Sequence, residues 1–352
     1  MKIFMVHQNP WNAGNPYISS LIEEIQHQHP DITISWGRNQ FWDETIFSYD
    51  IVHFHWPHTF MPNDRHSEED LRQHLYNIHK HGATIVATCH DLKPHYNQYS
   101  EYADSLHIVY SLCDIIIHLG ETSRKLLANT YPNAEHYVIP HHIYDTIYTS
   151  FPSREESILR LKLPKNRTNI LCFGTFRSDS ERKLVLSVCR QLKRKKITIL
   201  APGFMDTAIP NNRFKSIIQK TKKKYYRLRY HIYCTGKTFA PIPDSLVPFF
   251  YGAADIAFIQ RLDILNSGNI YMPVLFKKMV VGPDVGNVGP ILKEWGCPVF
   301  SPRTPQSAGV ALKKGLAMAK TGYGEHLNSL LANRLSTQRI ASEIYNIYCQ
   351  SL

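Results

Sequence analysis

What constrains this chain most is an alternation of short apolar runs with segments of helical periodicity, which runs once, breaks, and runs again. The first series reads as strands from Ile3 to His7, Ile32 to Trp36, Ile51 to Trp56, Thr84 to Thr88, Asp114 to Leu119 and His136 to Pro140. Helices are expected between them, from Tyr17 to His27, Glu68 to Lys80, Ala103 to Leu112 and Ser123 to Asn129. A strand that returns to lie parallel beside its neighbour needs a crossover, and a helix is the compact way to make one. The series therefore predicts an α/β fold with a parallel, doubly wound sheet. Residues 149 to 167 then turn polar and hold Pro152 and Pro164, which reads as a linker with at most one short helix. The pattern restarts with a strand from Asn169 to Gly174, a helix from Lys183 to Leu192 and a strand from Ile197 to Ala201. A basic helix and strand cover Phe214 to Cys234, and a last helix runs from about Ser336 to Tyr348. The expected organisation is one domain over 1–150, completed by the closing helix 336–352, and a second over 165–335.

The 352 residues suit two such domains rather than one. Met1-Lys2 leads straight into a strand-like run, as in a protein without a signal peptide, and no apolar run reaches the roughly 18 residues of a membrane span. The seven cysteines are scattered with no C-x-x-C pair, which suits reduced thiols of a cytoplasmic protein. Charge is uneven. Fifteen of the Lys and Arg residues, against the single acid Asp206, lie between Arg182 and Arg229, a local +14 that leaves −3 for the rest of a chain whose total is +11. Such a segment attracts phosphate-bearing partners: nucleic acid, anionic lipid head groups or nucleotides. A solvated helix face in a basic protein would look the same.

In doubly wound sheets ligands sit at the carboxyl ends of the strands. The loops expected there carry most of the chemistry-bearing residues. The first includes Gly14 and Asn15; the third holds His55-Trp56-Pro57-His58; the fourth holds His90-Asp91; Pro140-His141-His142 follows the sixth strand. In the second series Gly174-Thr175-Phe176-Arg177 follows a strand. Asn266-Ser267-Gly268-Asn269 lies between two buried strands, Ile256 to Ile259 and Met279 to Gly282, ahead of an apolar segment of helical length. Small residues before a helix N-terminus let backbone N–H groups approach an anion such as phosphate, although Asn-Ser-Gly also serves as a plain cap and turn. His53 and His55 alternate on one strand and with His58, His141 and His142 invite a metal reading. No cysteine or carboxylate of ligand-like spacing completes the set, so no metal is expected. Trp11 and Trp56 in the loops could serve as stacking platforms for a ligand, whereas Trp36 reads as core.

Taken in order, these pieces resemble a GT-B glycosyltransferase, nearest to the branch that includes the large family four of retaining, nucleotide-sugar-dependent enzymes. The matching stretches are Val52-His53-Phe54-His55-Trp56-Pro57, Thr88-Cys89-His90-Asp91-Leu92 with Pro94-His95, Val138-Ile139-Pro140-His141, and Cys172-Phe173-Gly174-Thr175-Phe176-Arg177. They continue with Ala254-Asp255, Leu265-Asn266-Ser267-Gly268 and Pro283-Asp284-Val285-Gly286. The resemblance implies two Rossmann-like domains facing across a cleft, with the closing helix crossing back to the first. It implies a donor nucleotide diphosphate (UDP- or GDP-sugar) on the second domain and a glycan or lipid-linked acceptor hydroxyl on the first, as in surface polysaccharide synthesis. No cofactor or metal is implied, since Arg, Lys and N–H groups neutralise the leaving diphosphate.

Two departures stand out. The family's pair of donor-site glutamates is replaced by Ile264/Leu265 and Met272/Pro273, so Asp263, Asn266, Ser267 or Asn269 would have to serve. The Lys-Gly after the phosphate-binding Arg is replaced by Ser180-Glu181-Arg182-Lys183. The resulting expectations are donor contacts from Gly174, Thr175, Arg177, Arg182, Lys183 and Asn266 to Asn269, and acceptor contacts from Gly14, Asn15, His55 and Trp56. His90 and Asp91 are placed at the chemistry, one as base toward the acceptor if the enzyme inverts. If it retains, the leaving phosphate takes the proton and His90 contacts sugar or phosphate. The basic segment could rest on an anionic membrane surface. The competing reading is a nucleic-acid-binding protein using Arg182 to Arg229, where Tyr225, Tyr226 and Tyr230 interleave with the charges. That segment matches no named motif, so nucleic acid is not the expected partner. A NAD(P) enzyme is disfavoured because no G-x-G-x-x-G follows a strand.

Overall fold

The computed structural model describes residues 1–12, 14–59, 66–93, 103–192, 196–205, 213–234 and 242–352, so Pro94 and His95 lie outside the described residues. The chain divides into two compact units, Met1–Ile147 with Arg334–Leu352, and Tyr148–Asn333.

In the first unit the chain runs β1 (Lys2–Val6), α1 (Tyr17–Gln28), β2 (Thr33–Trp36), β3 (Ile51–His55), α2 (Glu68–Lys80), β4 (Thr84–Cys89), α3 (Ala103–Leu112), β5 (Ile115–His118), α4 (Glu121–Leu127) and β6 (Glu135–Val138). The six strands form one sheet in the order β2-β1-β3-β4-β5-β6, every described pairing parallel. β1, β3, β4 and β5 are buried almost throughout, which is why they read as continuous apolar runs rather than alternating ones. The chain turns back between β1 and β3, so the crevice at their carboxyl ends is the sheet's switch point.

The second unit runs α5 (Arg154–Leu161), β7 (Thr168–Leu171), α6 (Asp179–Gln191), β8 (Ile197–Leu200), α7 (Arg213–Tyr230), β9 (Ile232–Tyr233), α8 (Val247–Ala253), β10 (Ile256–Phe258), α9 (Met272–Leu275), β11 (Met279–Pro283), α10 (Val288–Glu294), β12 (Val299–Phe300), α11 (Ser307–Lys320) and α12 (Tyr323–Leu331). Its sheet, again parallel, has the order β12-β11-β10-β7-β8-β9, with the switch between β7 and β10. The last helix, α13 (Thr337–Gln350), belongs to the first unit. Ser336 caps it by accepting the Arg339 N–H, and its buried stripe Ile340, Ala341, Ile344, Ile347 and Tyr348 packs beside α1.

Two local expectations are corrected. The polar stretch read as a linker with at most one short helix holds one, α5, started by a Ser153/Glu156 capping box, but it packs on α8 as part of the second unit rather than joining two domains. The contact is close because Gly252 has no side chain: a Cβ there would lie 2.3 Å from Ser157 Oγ and 2.8 Å from the Pro152 carbonyl. The apolar segment after Asn-Ser-Gly is not one helix. A 3-10 turn, Gly268–Ile270, precedes the four-residue α9, and Lys277 ends it in a left-handed conformation (φ 56°). So short a helix carries little macrodipole, and the anion argument there loses its helical component.

Candidate active site

In the first unit the switch-point crevice is built on histidine. His53 and His55, two residues apart on β3, share one face, and His90 follows β4. His53 is held on both ring nitrogens, with Nδ1 2.6 Å from the Tyr348 hydroxyl of α13 and Nε2 2.8 Å from Thr88 Oγ1. His55 Nδ1 lies 3.0 Å from His90 Nε2. His90 in turn stacks on Trp56 with ring centroids 3.9 Å apart. Tyr17, at the start of α1, lies perpendicular to the His90 ring and stacks on that of His142. The Tyr144 N–H donates to His142 Nδ1 at 3.1 Å, which places the His142 proton on Nε2, facing Ser20 Oγ and the Tyr17 carbonyl. Among the described residues no group of three or more His, Cys, Asp or Glu is arranged to hold a metal ion.

These four histidines and the neighbouring His141 are all buried, and burial drives them neutral. His53 and His90 are pushed down to about 3 and His142 to about 4, while His55 and His141 fall well below the ordinary value. For His90 desolvation outweighs the opposing pull of the Asp91 carboxylate. Asp91 is buried beside it, and its backbone carbonyl accepts from the Tyr110 hydroxyl at 3.5 Å. Trp56 sits in the left-handed region (φ 50°), where a bulky residue is strained, a condition that clusters at functional loops. Asn15 accepts from the Tyr17 N–H and the Tyr144 hydroxyl, so its side chain starts α1 and ties it to the loop after β6. Gly14 has a left-handed φ of 66° and open space around it.

Trp36 is not a core residue. It is 37% exposed, its ring 4.6 Å from that of Trp11, itself 44% exposed. Beside it opens a cavity of about 310 Å³ lined by Gln8, Asn9, Trp36, Arg38, Asn39 and Gln40 at the carboxyl ends of β1 and β2.

In the second unit the loops after β7 and β10 meet. Gly174, with φ 88°, lets the chain turn where a Cβ would lie 2.9 Å from Asn269 Nδ2. Asn269 and Gln260 both donate to the Phe173 carbonyl, tying the Asn-Ser-Gly loop to the β7 loop. Asn287 Nδ2 donates to Asn266 Oδ1 at 2.7 Å and fixes the other end of that loop. Arg177 and Lys183 are exposed. Arg182 gives its Nε to the Phe204 carbonyl and Nη1 to Asp179, holding α6 to the loop after β8.

Sequence reasoning missed the centre of this arrangement. Arg261, just past β10, is buried, and its Nη1 meets both oxygens of buried Glu181 at 3.1 and 3.0 Å. Glu181 also accepts the Arg177 N–H at 2.7 Å, and Arg261 Nη2 reaches Thr175 Oγ1 at 3.5 Å. One ion pair thus clasps the β7 loop, the first turn of α6 and the β10 loop. A charged residue ending a buried strand was the signal available in the sequence.

No family model and no curated protein sequence matches the chain. Solved structures do. A sucrose-phosphate synthase from Thermosynechococcus elongatus superposes with a TM-score of 0.71 at 12% identity, over 99% of this chain and 98% of that one. The Anabaena protein HepE, solved with UDP-glucose, gives 0.69 at 14% identity over the whole of both chains. The fold is GT-B. A glycosyltransferase from Rickettsia africae gives 0.65 at 14% identity over 99% of this chain and 98% of that one, so the GT-B likeness spans both units.

Proposed function

We propose that this chain is a glycosyltransferase that moves a sugar from a nucleoside-diphosphate donor, UDP or GDP by class, to a hydroxyl of a glycan or lipid-linked acceptor. The observation that carries the reading is the loop set at the second unit's switch point. It combines a glycine turn, exposed Arg177, the first turn of α6 and buried Arg261 where a doubly wound sheet takes a diphosphate. HepE, alike over its whole length, was solved with UDP-glucose.

In this reading Thr175, Arg177 and the α6 N-terminus receive the diphosphate, and Asn266, Ser267, Gly268 and Asn269 line the sugar and ribose side. The acceptor oxygen bonds to the anomeric carbon as the bond to the diphosphate breaks, and the electron pair leaves on phosphate, where positive groups stabilise it without a metal. A neutral His90 with so low a proton affinity is a weak base, so the acceptor proton is better taken by the leaving phosphate. His90 then orients sugar together with Trp56 and Asp91. The Trp36 cavity, with its amides and exposed indole, suits a further sugar of the acceptor, because sugars stack an apolar face on aromatics while amides bridge their hydroxyls. The basic second unit would hold the chain on an anionic membrane surface, where lipid-linked acceptors are found.

The test is thermal shift with UDP, GDP and CMP, followed by donor-hydrolysis assays with the preferred base. A ligand that binds only the folded state stabilises by about 2.7 kcal/mol at a hundredfold excess over its Kd. A selective shift with UDP or GDP, lost in Arg177→Ala, is the expected result. A shift that Arg177→Ala leaves untouched refutes the assigned phosphate contact, and none with any nucleotide refutes the donor site.

A further inference from the structure

α7 presents two faces that differ in kind. Ser216, Gln219, Lys223, Tyr226 and Tyr230, spaced three and four apart, are half-buried, and the Tyr226 ring packs edge-on against Phe204 at 5.0 Å. At about 100° per residue the opposite face carries Ile217, Thr221, Tyr225 and Leu228, with Ile218 at its margin. These apolar side chains point straight at solvent: Ile217 is 60% exposed, Tyr225 53%, Leu228 68% and Ile218 38%. Exposed cations border the stripe, Lys220, Lys224 and Arg227 along one edge, Lys222 and Arg229 along the other. The helix holds eight Lys and Arg residues and no acid.

A merely solvated surface helix would intersperse acids at four-residue spacing. This one instead sets Lys220 against Lys224, a repulsive pair that a negatively charged partner relieves. We propose that α7 is an interfacial helix that lies flat on an anionic lipid bilayer, its apolar stripe in the headgroup–acyl boundary and its flanking cations on lipid phosphates. The long Lys and Arg side chains reach from the edges of an inserted stripe back to the phosphates, the arrangement expected of an in-plane amphipathic helix. Charge opposes a second copy as occupant, since two such helices repel. Nucleic acid would satisfy the cations and leave Ile217 and Leu228 in water. The inference gives the membrane part of the proposed function a specific element, but its test does not pass through donor binding or transfer.

The full chain is sedimented with phosphatidylcholine vesicles, with and without phosphatidylglycerol, at low and high salt. Binding should require the anionic lipid and fall with salt. With about 1 kcal/mol per basic residue near such a surface, the triple variant Lys220→Gln, Lys222→Gln, Lys224→Gln should lose on the order of a hundredfold in affinity. The double variant Ile217→Asn, Leu228→Asn should lose roughly tenfold or more, with its melting temperature unchanged because both side chains face solvent. Equal binding to neutral vesicles overturns the proposal, as does a double variant that binds like the parent. Lipid-free dimerisation abolished by the double variant would reassign the stripe to a second copy. Binding to a short RNA but not to vesicles would reassign the cations. A chain that binds vesicles without responding to any nucleotide would keep this inference and lose the donor site.

Discussion

Arg261 and Glu181 are 80 residues apart in sequence and joined by two hydrogen bonds out of water. Breaking such a pair from one side strands the other charge, so Arg261→Met should cost about 3–5 kcal/mol of stability. Adding Glu181→Gln removes the stranded charge and should recover most of that loss, because an apolar–amide pair carries no uncompensated ion. Nucleotide affinity should stay low in the double variant, since the clasp on the Thr175–Arg177 loop is gone. Denaturant melts and nucleotide titrations of both variants separate the two effects. A double variant that regains full affinity would show that the pair supports the fold alone. On the other unit, Tyr348→Phe leaves His53 Nδ1 without its hydroxyl partner and should cost about 1–3 kcal/mol, read in the same melts.

At the scale of elements, close approach rather than composition sets the geometry of the loops at the second unit's switch point. Gly286 has a left-handed φ of 55°, and a Cβ there would lie 2.3 Å from the Ile264 carbonyl and 2.6 Å from that of Leu265. It is therefore the residue that lets the β11 loop back onto the Asn-Ser-Gly loop, where Asn287 completes the contact. Gly286→Ala combines backbone strain with a backbone clash that no rotamer relieves. We expect a loss of more than about 1 kcal/mol together with weakened nucleotide binding, checked by calorimetry and titration. The same residue type reads as an ordinary turn in sequence, because its requirement lies in two carbonyls some twenty residues earlier in the chain.

For the first unit as a whole, six neutral buried histidines, the five of the crevice and His118, pushed down to about 3 by burial, make stability a function of pH. Their folded pKa values are all lowered, so the unfolded chain binds more protons, and stability, complete above about 6.5, is lost as pH falls below it. Each contributes about 1.4 kcal/mol per pH unit in that window, so a drop to about pH 5.5 should remove roughly 8 kcal/mol, comparable to the whole stability of a domain. Calorimetric melts at several pH values should show the first unit's transition flat above neutrality and falling steeply in mild acid; a flat profile to pH 5 would contradict the burial of the cluster. Removing α13 should unfold this unit even at neutral pH. The deletion uncovers the apolar face of α1 and takes Tyr348 from His53. What the sequence by itself determined was the alternation: parallel buried strands demand apolar runs, crossovers demand helices, and loops at strand ends collect the polar chemistry. Hence both sheets, the helices Glu68–Lys80 and Ala103–Leu112, and the loops bearing Trp56, His90, Gly174 and Arg177 were legible. Only the tertiary structure decided that His53 is locked by Tyr348 while Trp36 stands exposed beside Trp11. It likewise decided that Arg182 is held by Phe204 and Asp179, and that Arg261 grips Glu181. Local sequence encodes which segments bury an apolar face, but which polar groups meet is fixed by strands and loops far apart in the chain, and no periodicity records those distances.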